Sequence, residues 1–182
     1  TASVNYTLAV NVEALTLTGS AVTGTGNGSA NTIIGTSGAN LLKGLAGNDT
    51  LQGGEGNDQL VGGTGNDVLT GDGGADSFVF DKSDGDDWIT DFTTGTDKIQ
   101  LSSTLVISLG GINALLDAGS FHTAAGAVSG ADAGDRLVYN STTGALYYDA
   151  DGSGKMGAVK IATLDLIDDA RPELTYTDFI FG

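Results

Sequence analysis

The 182-residue chain contains no cysteine, one proline and one histidine. Without cysteine it can form neither a disulfide nor a thiol nucleophile. A single histidine, His122, excludes the paired imidazoles of an HExxH zinc site, and the absence of a GxSxG sequence excludes the serine hydrolase elbow. Aspartate is so abundant that counting alone leaves the paired carboxylates of a glycosidase open. We therefore expect a non-catalytic chain in which His122 is structural.

Basic residues are also scarce: seven lysines and arginines stand against 23 acidic residues, which gives a net charge of −16. Nucleic acid and anionic membranes would repel such a chain, whereas cations would be attracted. No apolar run approaches the ~18 residues of a membrane-spanning helix. The acid is almost all aspartate, twenty residues against three glutamates, and aspartate with abundant glycine is typical of turns rather than helices.

The sequence begins at Thr1 without an initiator methionine or a basic-then-apolar leader. We therefore expect a fragment of a longer protein that has no N-terminal secretion signal. Any catalytic or adhesive part of the parent protein would precede Thr1, and the parent could be a secreted hydrolase, epimerase or adhesin.

From residue 26 the chain repeats a nine-residue unit six times without gaps. Glycine occupies position one in all six units and position four in five of them. Position six is an amide or a carboxylate, and position eight is a large apolar residue. A fixed short period of this kind indicates a solenoid. The units are GNGSANTII, GTSGANLLK, GLAGNDTLQ, GGEGNDQLV, GGTGNDVLT and GDGGADSFV.

Each position of the unit has a physical role. The glycines allow tight turns, including left-handed ones, and the last three residues form a short strand whose middle residue points inward. Two units then make one turn, so Leu51 stacks on Leu69 along one wall and Leu42 on Leu60 along the other. A flexible glycine-rich linker, the alternative, has no reason to repeat an apolar residue in this way.

Position six stacks by the same geometry, with Asp49 above Asp67 on one edge and Asp58 above Asp76 on the other. Stacked strands lie ~4.8 Å apart. Neighbouring carboxylates therefore repel each other by roughly 1 kcal/mol in water, and by more at a lower dielectric. A cation between the loops would remove this repulsion. Carboxylate and carbonyl oxygens, without imidazole or thiolate, favour calcium.

These units resemble the repeats-in-toxin (RTX) family, whose nonapeptide GGxGxDxUx forms a calcium-bound parallel β-roll. The units at 53–61 and 62–70 match that pattern in full, whereas Asn31 and Asn40 replace aspartate in the first two units. The resemblance implies several calcium ions, and it makes sites at the asparagine end doubtful, where stacked amides could replace the metal. The implied first site is Leu45, Gly47, Asp49, Gly62, Thr64 and Asp67; the second is Gly54, Gly56, Asp58, Gly71, Gly73 and Asp76; the third is Gly63, Gly65 and Asp67 with segment 84–87, which includes Asp87.

Residues 77–102 resemble the segment that leads out of the repeats in serralysin-type C-terminal domains. We expect Trp88, Phe92 and Ile99 to cover the open end of the core. Asp91 and Asp97 would either add calcium ligands or cap turns.

The C-terminal part predicts paired strands. Residues 135–164 alternate around a Thr-Thr-Gly turn, after a short helix predicted near 112–118. Asp149, Asp151 and Gly152 resemble half an EF-hand loop, but a hairpin turn is the favoured interpretation because the remaining ligands are missing. The end, LTYTDFIFG, resembles the C-terminal signals of type I secretion substrates.

The sequence thus predicts an all-β protein, in which a parallel β-roll precedes an antiparallel, sandwich-like C-terminal domain. The predicted division is an N-terminal β cap or extra roll turns (1–25), a calcium-binding roll (26–92) and a C-terminal β domain with a secretion signal (93–182). The predicted function is that of a secreted bacterial module that folds on calcium and supports type I secretion. The alternative is an accessory module that binds an anionic polysaccharide, although the basic residues form no stripe for it.

Overall fold

The computed structural model describes residues 1–81, 85–104, 118–131, 134–149, 157–165 and 170–181. Within these ranges the chain forms strands and two short 3-10 helices, Ala118–Ser120 and Tyr176–Asp178. The strands are β1 Tyr6–Thr7, β2 Ala14–Thr16, β3 Thr23–Thr25, β4 Thr32–Ile34, β5 Leu41–Ala46, β6 Thr50–Glu55, β7 Gln59–Thr64, β8 Val68–Gly73, β9 Ser77–Phe80, β10 Asp87–Ile89, β11 Lys98–Leu101, β12 Phe121–Ala124, β13 Leu137–Asn140, β14 Ala145–Tyr148, β15 Val159–Leu164 and β16 Phe179–Phe181.

The strands form two sheets, and successive strands of the repeat region alternate between them. One sheet has the order β1-β3-β5-β7-β9-β11-β16, the other β12-β13-β14-β15-β10-β8-β6-β4-β2. Neighbours in the repeat region are parallel, with Leu42 opposite Leu60 and Leu51 opposite Leu69. Two nonapeptide units therefore make one turn, and the predicted all-β class and parallel roll are confirmed.

The core of the roll is the row of position-eight side chains between the two sheets. All six are fully buried: Ile33, Leu42, Leu51, Leu60, Leu69 and Phe78. Each burial stabilises the fold by about 1.5–3 kcal/mol. Because one such residue per unit is the only large inward side chain, the core is thin and every turn depends on its neighbours.

The N-terminal residues continue the two sheets ahead of the first nonapeptide. β1 pairs in parallel with β3, and β2 with β4, so the roll geometry extends back to Tyr6. The Asn5 side chain accepts hydrogen bonds at 2.9 Å from the backbone of Val22 and of Thr23, which ties the first loop to the next turn. The predicted boundary at residue 25 remains a prediction.

At the other end of the roll, three residues were predicted to cover the core, and the prediction is wrong for Trp88. Phe92 and Ile99 are buried in the core, but Trp88 is 47% exposed. Within β10 the side chains of Asp87 and Ile89 face inward, so the residue between them must face outward. Ile89 stacks on Leu69, as the Asp-x-apolar register predicted.

The C-terminal strands join the same two sheets. β11 and β16 extend one sheet, and β15 continues the other from β10 with parallel pairing. The predicted hairpin is present, since β13 and β14 pair antiparallel across residues 141–144, and β14 also pairs antiparallel with β15. A separate antiparallel sandwich is not confirmed. The helix predicted near 112–118 lies almost wholly outside the described residues.

Candidate metal centre

Two columns of side chains follow the edges of the roll, one residue per turn at position six. We call them the Asp49 column (Asn31, Asp49, Asp67, Asp87) and the Asp58 column (Asn40, Asp58, Asp76, Asp97). In both columns the backbone N–H of each residue donates to the side-chain Oδ1 of the residue one turn later. The six donor–acceptor distances lie between 2.7 and 3.0 Å. The predicted stacking of position six is therefore present on both edges.

The second carboxylate oxygen, Oδ2, of the four central aspartates is buried without a hydrogen-bond partner among the described residues. These residues are Asp49, Asp58, Asp67 and Asp76, and each is at most 2% exposed. A charged oxygen withdrawn from water without a partner has a large desolvation cost. Four such atoms at one repeat position indicate a recurring cationic partner.

Burial raises the pKa of all four carboxyl groups above the ordinary value of 3.8. The pKa values of Asp49 and Asp76 rise to about 6, and in both cases a backbone hydrogen bond opposes the rise. Neighbouring carboxylates add to it, Asp67 for Asp49 and Asp97 for Asp76. A bound cation would reverse this balance, because its charge favours the ionised form.

Glycine at position one leaves the space beside each Oδ2 free. A Cβ on Gly44 would collide with Asp49 Oδ2 and lie 2.6 Å from the Gly62 carbonyl oxygen. A Cβ on Gly53 would likewise collide with Asp58 Oδ2 and lie 2.8 Å from the carbonyl oxygen of Gly71. The structure thus brings one carboxylate oxygen and one predicted carbonyl ligand together on each edge.

Other predicted carbonyl ligands lie between the same loops. A Cβ on Gly63 would collide with the Leu45 carbonyl oxygen, and one on Gly65 with that of Gly47. The carbonyl of Thr64 accepts a hydrogen bond from Gly47 N at 2.9 Å, as does that of Gly73 from Gly56 N at 2.7 Å. A carbonyl oxygen has a second lone pair, so these bonds leave room for a metal.

The candidate metal ligands are oxygen atoms, and few of them come from side chains. In the described part of the chain no three His, Cys, Asp or Glu side chains come close enough to hold a metal together. Backbone carbonyls would therefore have to supply most of the ligands, as in the sets that the RTX resemblance implies, where four of the six ligands are carbonyls. Such a set fits calcium, which takes six to eight oxygens in irregular geometry.

The two asparagines at the start of the columns are satisfied without a metal. Asn31 Oδ1 accepts from Asn27 N at 2.7 Å, and its amide nitrogen donates to the Val12 carbonyl at 3.2 Å. Asn40 Oδ1 accepts from Thr36 N at 2.6 Å, and its nitrogen donates to a carbonyl of the turn before it at 3.0 Å. In these two asparagines the second side-chain atom, Nδ2, makes a hydrogen bond, whereas the corresponding Oδ2 of the aspartates has no partner among the described residues.

Beyond the repeat, two further aspartates predicted to bind calcium or to cap turns accept backbone hydrogen bonds. Asp91 accepts hydrogen bonds from the backbone of Gly71 and of Asp72 at 2.9 and 2.7 Å. Asp97 accepts from Thr93 N at 2.8 Å in addition to its bond within the Asp58 column. Both carboxylates therefore hold backbone amides of neighbouring loops, and their additional role as calcium ligands remains a prediction.

The third predicted site is described in part. Asp87 is buried and continues the Asp49 column, and the Gly65 carbonyl lies against Gly85. Asp84 lies outside the described residues.

The loops also contain hydrogen bonds that the sequence analysis did not identify. Position five is asparagine in three successive units, and each side-chain oxygen accepts from the backbone N–H of the loop one turn later. The pairs are Asn48 with Asn66, Asn57 with Ala75, and Asn66 with Asp86, at 2.9–3.0 Å. The asparagine of the repeated GND sequence was the signal for these hydrogen bonds.

Two further interpretations concern the C-terminal part. His122 is partly exposed, and its Nδ1 lies 3.8 Å from Asp135 Oδ2, so it belongs to a side-chain pair within the fold. Asp149 follows β14 and accepts from Gly130 N at 2.9 Å, whereas Asp151 and Gly152 lie outside the described residues.

Comparison with known proteins agrees with this geometry. Residues 25–60 and 52–82 match the family model for the RTX calcium-binding nonapeptide repeat, in four copies. Residues 25–82 are therefore RTX calcium-binding repeats, a non-catalytic region. RTX repeats are typical of secreted bacterial proteins. In the described ranges no helix has the length and hydropathy to cross a membrane. The resemblance to serralysin-type C-terminal domains remains a prediction.

Among solved structures, the chain is similar to the AlgE6R3 subunit from the Azotobacter vinelandii mannuronan C5-epimerase. The two share 27% identity with a TM-score of 0.53, over 84% of this chain and 78% of that one. No curated protein matches the chain.

Proposed function

We propose that the RTX repeats bind calcium between successive loops of the Asp49 and Asp58 columns, and that calcium binding drives the folding of this module of a secreted protein. The observation that supports the proposal is the set of four buried, unpartnered Oδ2 atoms. Each lies beside a position-one glycine whose missing side chain leaves room for an ion. The ligand sets are the three predicted from the sequence.

Calcium would act mainly on the folding equilibrium. The chain has a net charge of −16 and thirty glycines, so ordering it is costly and the folded columns bring carboxylates together. An ion that binds only the folded state stabilises it by RT ln(1 + [Ca²⁺]/Kd) per site, and several sites make the transition steep. Extracellular calcium modules commonly bind at ~10⁻⁴–10⁻³ M. Such sites would remain empty in a low-calcium cytoplasm.

Circular dichroism during a calcium titration tests this proposal. We expect little strand signal in chelator and a cooperative gain of strand on adding calcium, with magnesium at the same concentration as the control. Amide exchange at the position-six residues should slow in the same calcium range. A strand signal that chelator leaves unchanged would contradict calcium-dependent folding.

We also propose that the tail, residues 174–182, directs type I secretion, and that the roll folds only after export. In the structure the described part of this tail contains the 3-10 helix Tyr176–Asp178 and β16, and Asp178 is buried with hydrogen bonds from Gly95 N and Thr175 N at 2.9 and 2.8 Å. Deleting the tail should abolish export. Asp178→Asn, which loosens the same contacts but keeps the tail, should still be exported. Normal export of the deletion variant would refute the signal role.

A second candidate function is binding of an anionic polysaccharide, favoured by the similarity to an epimerase subunit. The outer face of the β5-β7-β9 sheet has a cleft of about 550 Å³ lined by Lys43, Gln59 and Val61, among others. Calorimetry with mannuronan, with and without calcium, tests this function. Binding that Lys43→Ala reduces would support it, and no heat of binding would refute it.

A further inference from the structure

A second cleft, whose lining includes no residue of either column, lies between β13 and the segment that precedes the last strand. Its volume is about 730 Å³, within the range of small-molecule sites. Its lining includes hydroxyl groups and both signs of charge, from Thr123, Tyr139, Ser141, Arg171 and Glu173.

Two polar atoms of this lining are buried and have no hydrogen-bond partner among the described residues, namely Tyr139 Oη and Arg171 Nε. The Tyr139 side chain is only 1% exposed. Native proteins rarely leave such groups unpaired, because each loses its hydrogen bonds to water on burial. Two of them in the wall of one cleft indicate a partner within it.

The structure fixes both donors in place. Arg171 Nη1 donates to the Leu164 carbonyl and lies 3.8 Å from Asp165 Oδ1. The guanidinium also packs over Gly144, where a Cβ would come within 2.9 Å of Nη1. Tyr139 lies in the middle of β13, paired on both sides. Burial raises the pKa of Tyr139 to about 12, although Arg171 opposes the rise, so its hydroxyl remains a donor at neutral pH.

The chemistry of the lining selects a ligand class. A permanent positive charge and two unpartnered donors in the lining of one cleft match the two oxygens of a carboxylate. The hydroxyls of Thr123 and Ser141 suit a hydroxylated ligand, while Glu173 at the same wall would repel a second negative charge. We propose that this cleft binds a small hydroxylated monocarboxylate, whose oxygens accept hydrogen bonds from Arg171 Nε and Tyr139 Oη.

Three probes that share the same six-carbon hydroxylated chain test the proposal. Glucitol has no carboxylate, gluconate has one and glucarate has two. The whole chain is titrated by NMR with free calcium held constant and saturating, because gluconate and glucarate also bind calcium. Gluconate should shift the amides of β13 and residues 171–175, and glucitol should bind at least about tenfold more weakly. Glucarate should bind more weakly than gluconate, and Glu173→Gln should remove that difference. No shift with gluconate, or equal shifts with glucitol, would overturn the proposal.

Two variants separate recognition from folding. Tyr139→Phe removes one donor, and Arg171→Lys keeps the charge but removes Nε–H; each should weaken gluconate binding by about tenfold. Tyr147→Phe, on the neighbouring strand and outside the cleft lining, is the control and should bind normally. Because the Tyr139 hydroxyl has no hydrogen-bond partner in the described part of the chain, ligand-free Tyr139→Phe should unfold at the same temperature as the wild type or higher. Unchanged gluconate binding in both cleft variants, or a lower unfolding temperature for Tyr139→Phe, would overturn the assignment.

Discussion

Aspartate and asparagine at position six of the repeat differ by one atom, an oxygen in place of an NH₂ group. Asp49 and Asp58 use Oδ1 to accept a backbone hydrogen bond and leave Oδ2 unpartnered in the described structure. Asn31 and Asn40 instead donate from the second atom to a carbonyl of an adjacent turn. Under the proposed function, the choice between the two residues therefore decides whether a cation or hydrogen bonds close a turn.

This difference gives a prediction for Asp67, which lies in the middle of its column. Asp67→Asn keeps the Oδ1 that accepts from Asp49 N at 2.8 Å, but turns Oδ2 into a donor that would face the ion. Losing one charged ligand at a position shared by two proposed sites should raise the calcium concentration for half-maximal folding by more than about tenfold. Circular dichroism in calcium titrations measures this midpoint.

Glu13→Gln is the matched control, because it also removes one negative charge without changing volume. Glu13 is exposed and lies outside the repeat. We expect its calcium midpoint to remain near that of the wild type. Equal shifts in the two variants would mean that bulk charge, rather than the position-six column, controls folding.

At the scale of elements, the roll could be predicted because every unit repeats the same local pattern. Position eight of each unit points into the core, and position six lies on the edge of the roll. The register of β5 to β8 therefore follows from the nine-residue period alone. The same register applied to β10 places Trp88 outside, between the inward Asp87 and Ile89, so its predicted position over the core was wrong.

Other elements could not be predicted because their contacts join distant parts of the chain. β16 pairs with β11, and β15 with β10, across more than seventy residues. No local period specifies such pairings. The unpartnered donors of Tyr139 and Arg171 have the same origin, since the cleft exists only after β13 and residues 171–175 have come together.

The position-five asparagines give a prediction about how loops are held together. Asn57 Oδ1 accepts from Ala75 N at 3.0 Å on the exposed side of the loops. Asn57→Ala removes this bond, so we expect the calcium-bound module to lose about 1 kcal/mol of unfolding free energy. Denaturant unfolding in saturating calcium measures the loss. Asn57→Asp keeps an acceptor oxygen and should lose less; equal losses in both variants would contradict a role for the hydrogen bond.

For the whole molecule, the two columns and the net charge of −16 together make stability depend on pH. In the calcium-free fold the pKa values of Asp49 and Asp76 are about 6, against 3.8 for the ordinary group. An acid whose pKa is raised by folding stabilises the folded state below its unfolded pKa, and this stability is lost as the pH rises through the folded value. Protonation should therefore partly replace calcium.

We expect the calcium-free chain to gain strand signal as the pH falls from 7.5 to about 4, while the calcium midpoint rises because protons compete for the same oxygens. Circular dichroism on protein stripped of calcium beforehand measures the first effect. General charge neutralisation would act in the same direction, so a double variant, Asp49→Asn with Asp76→Asn, is compared with Glu13→Gln plus Glu55→Gln. Both pairs remove two charges, but only the first removes column carboxylates with raised pKa values. A pH response that is equally large in both double variants would assign the effect to net charge instead of the columns.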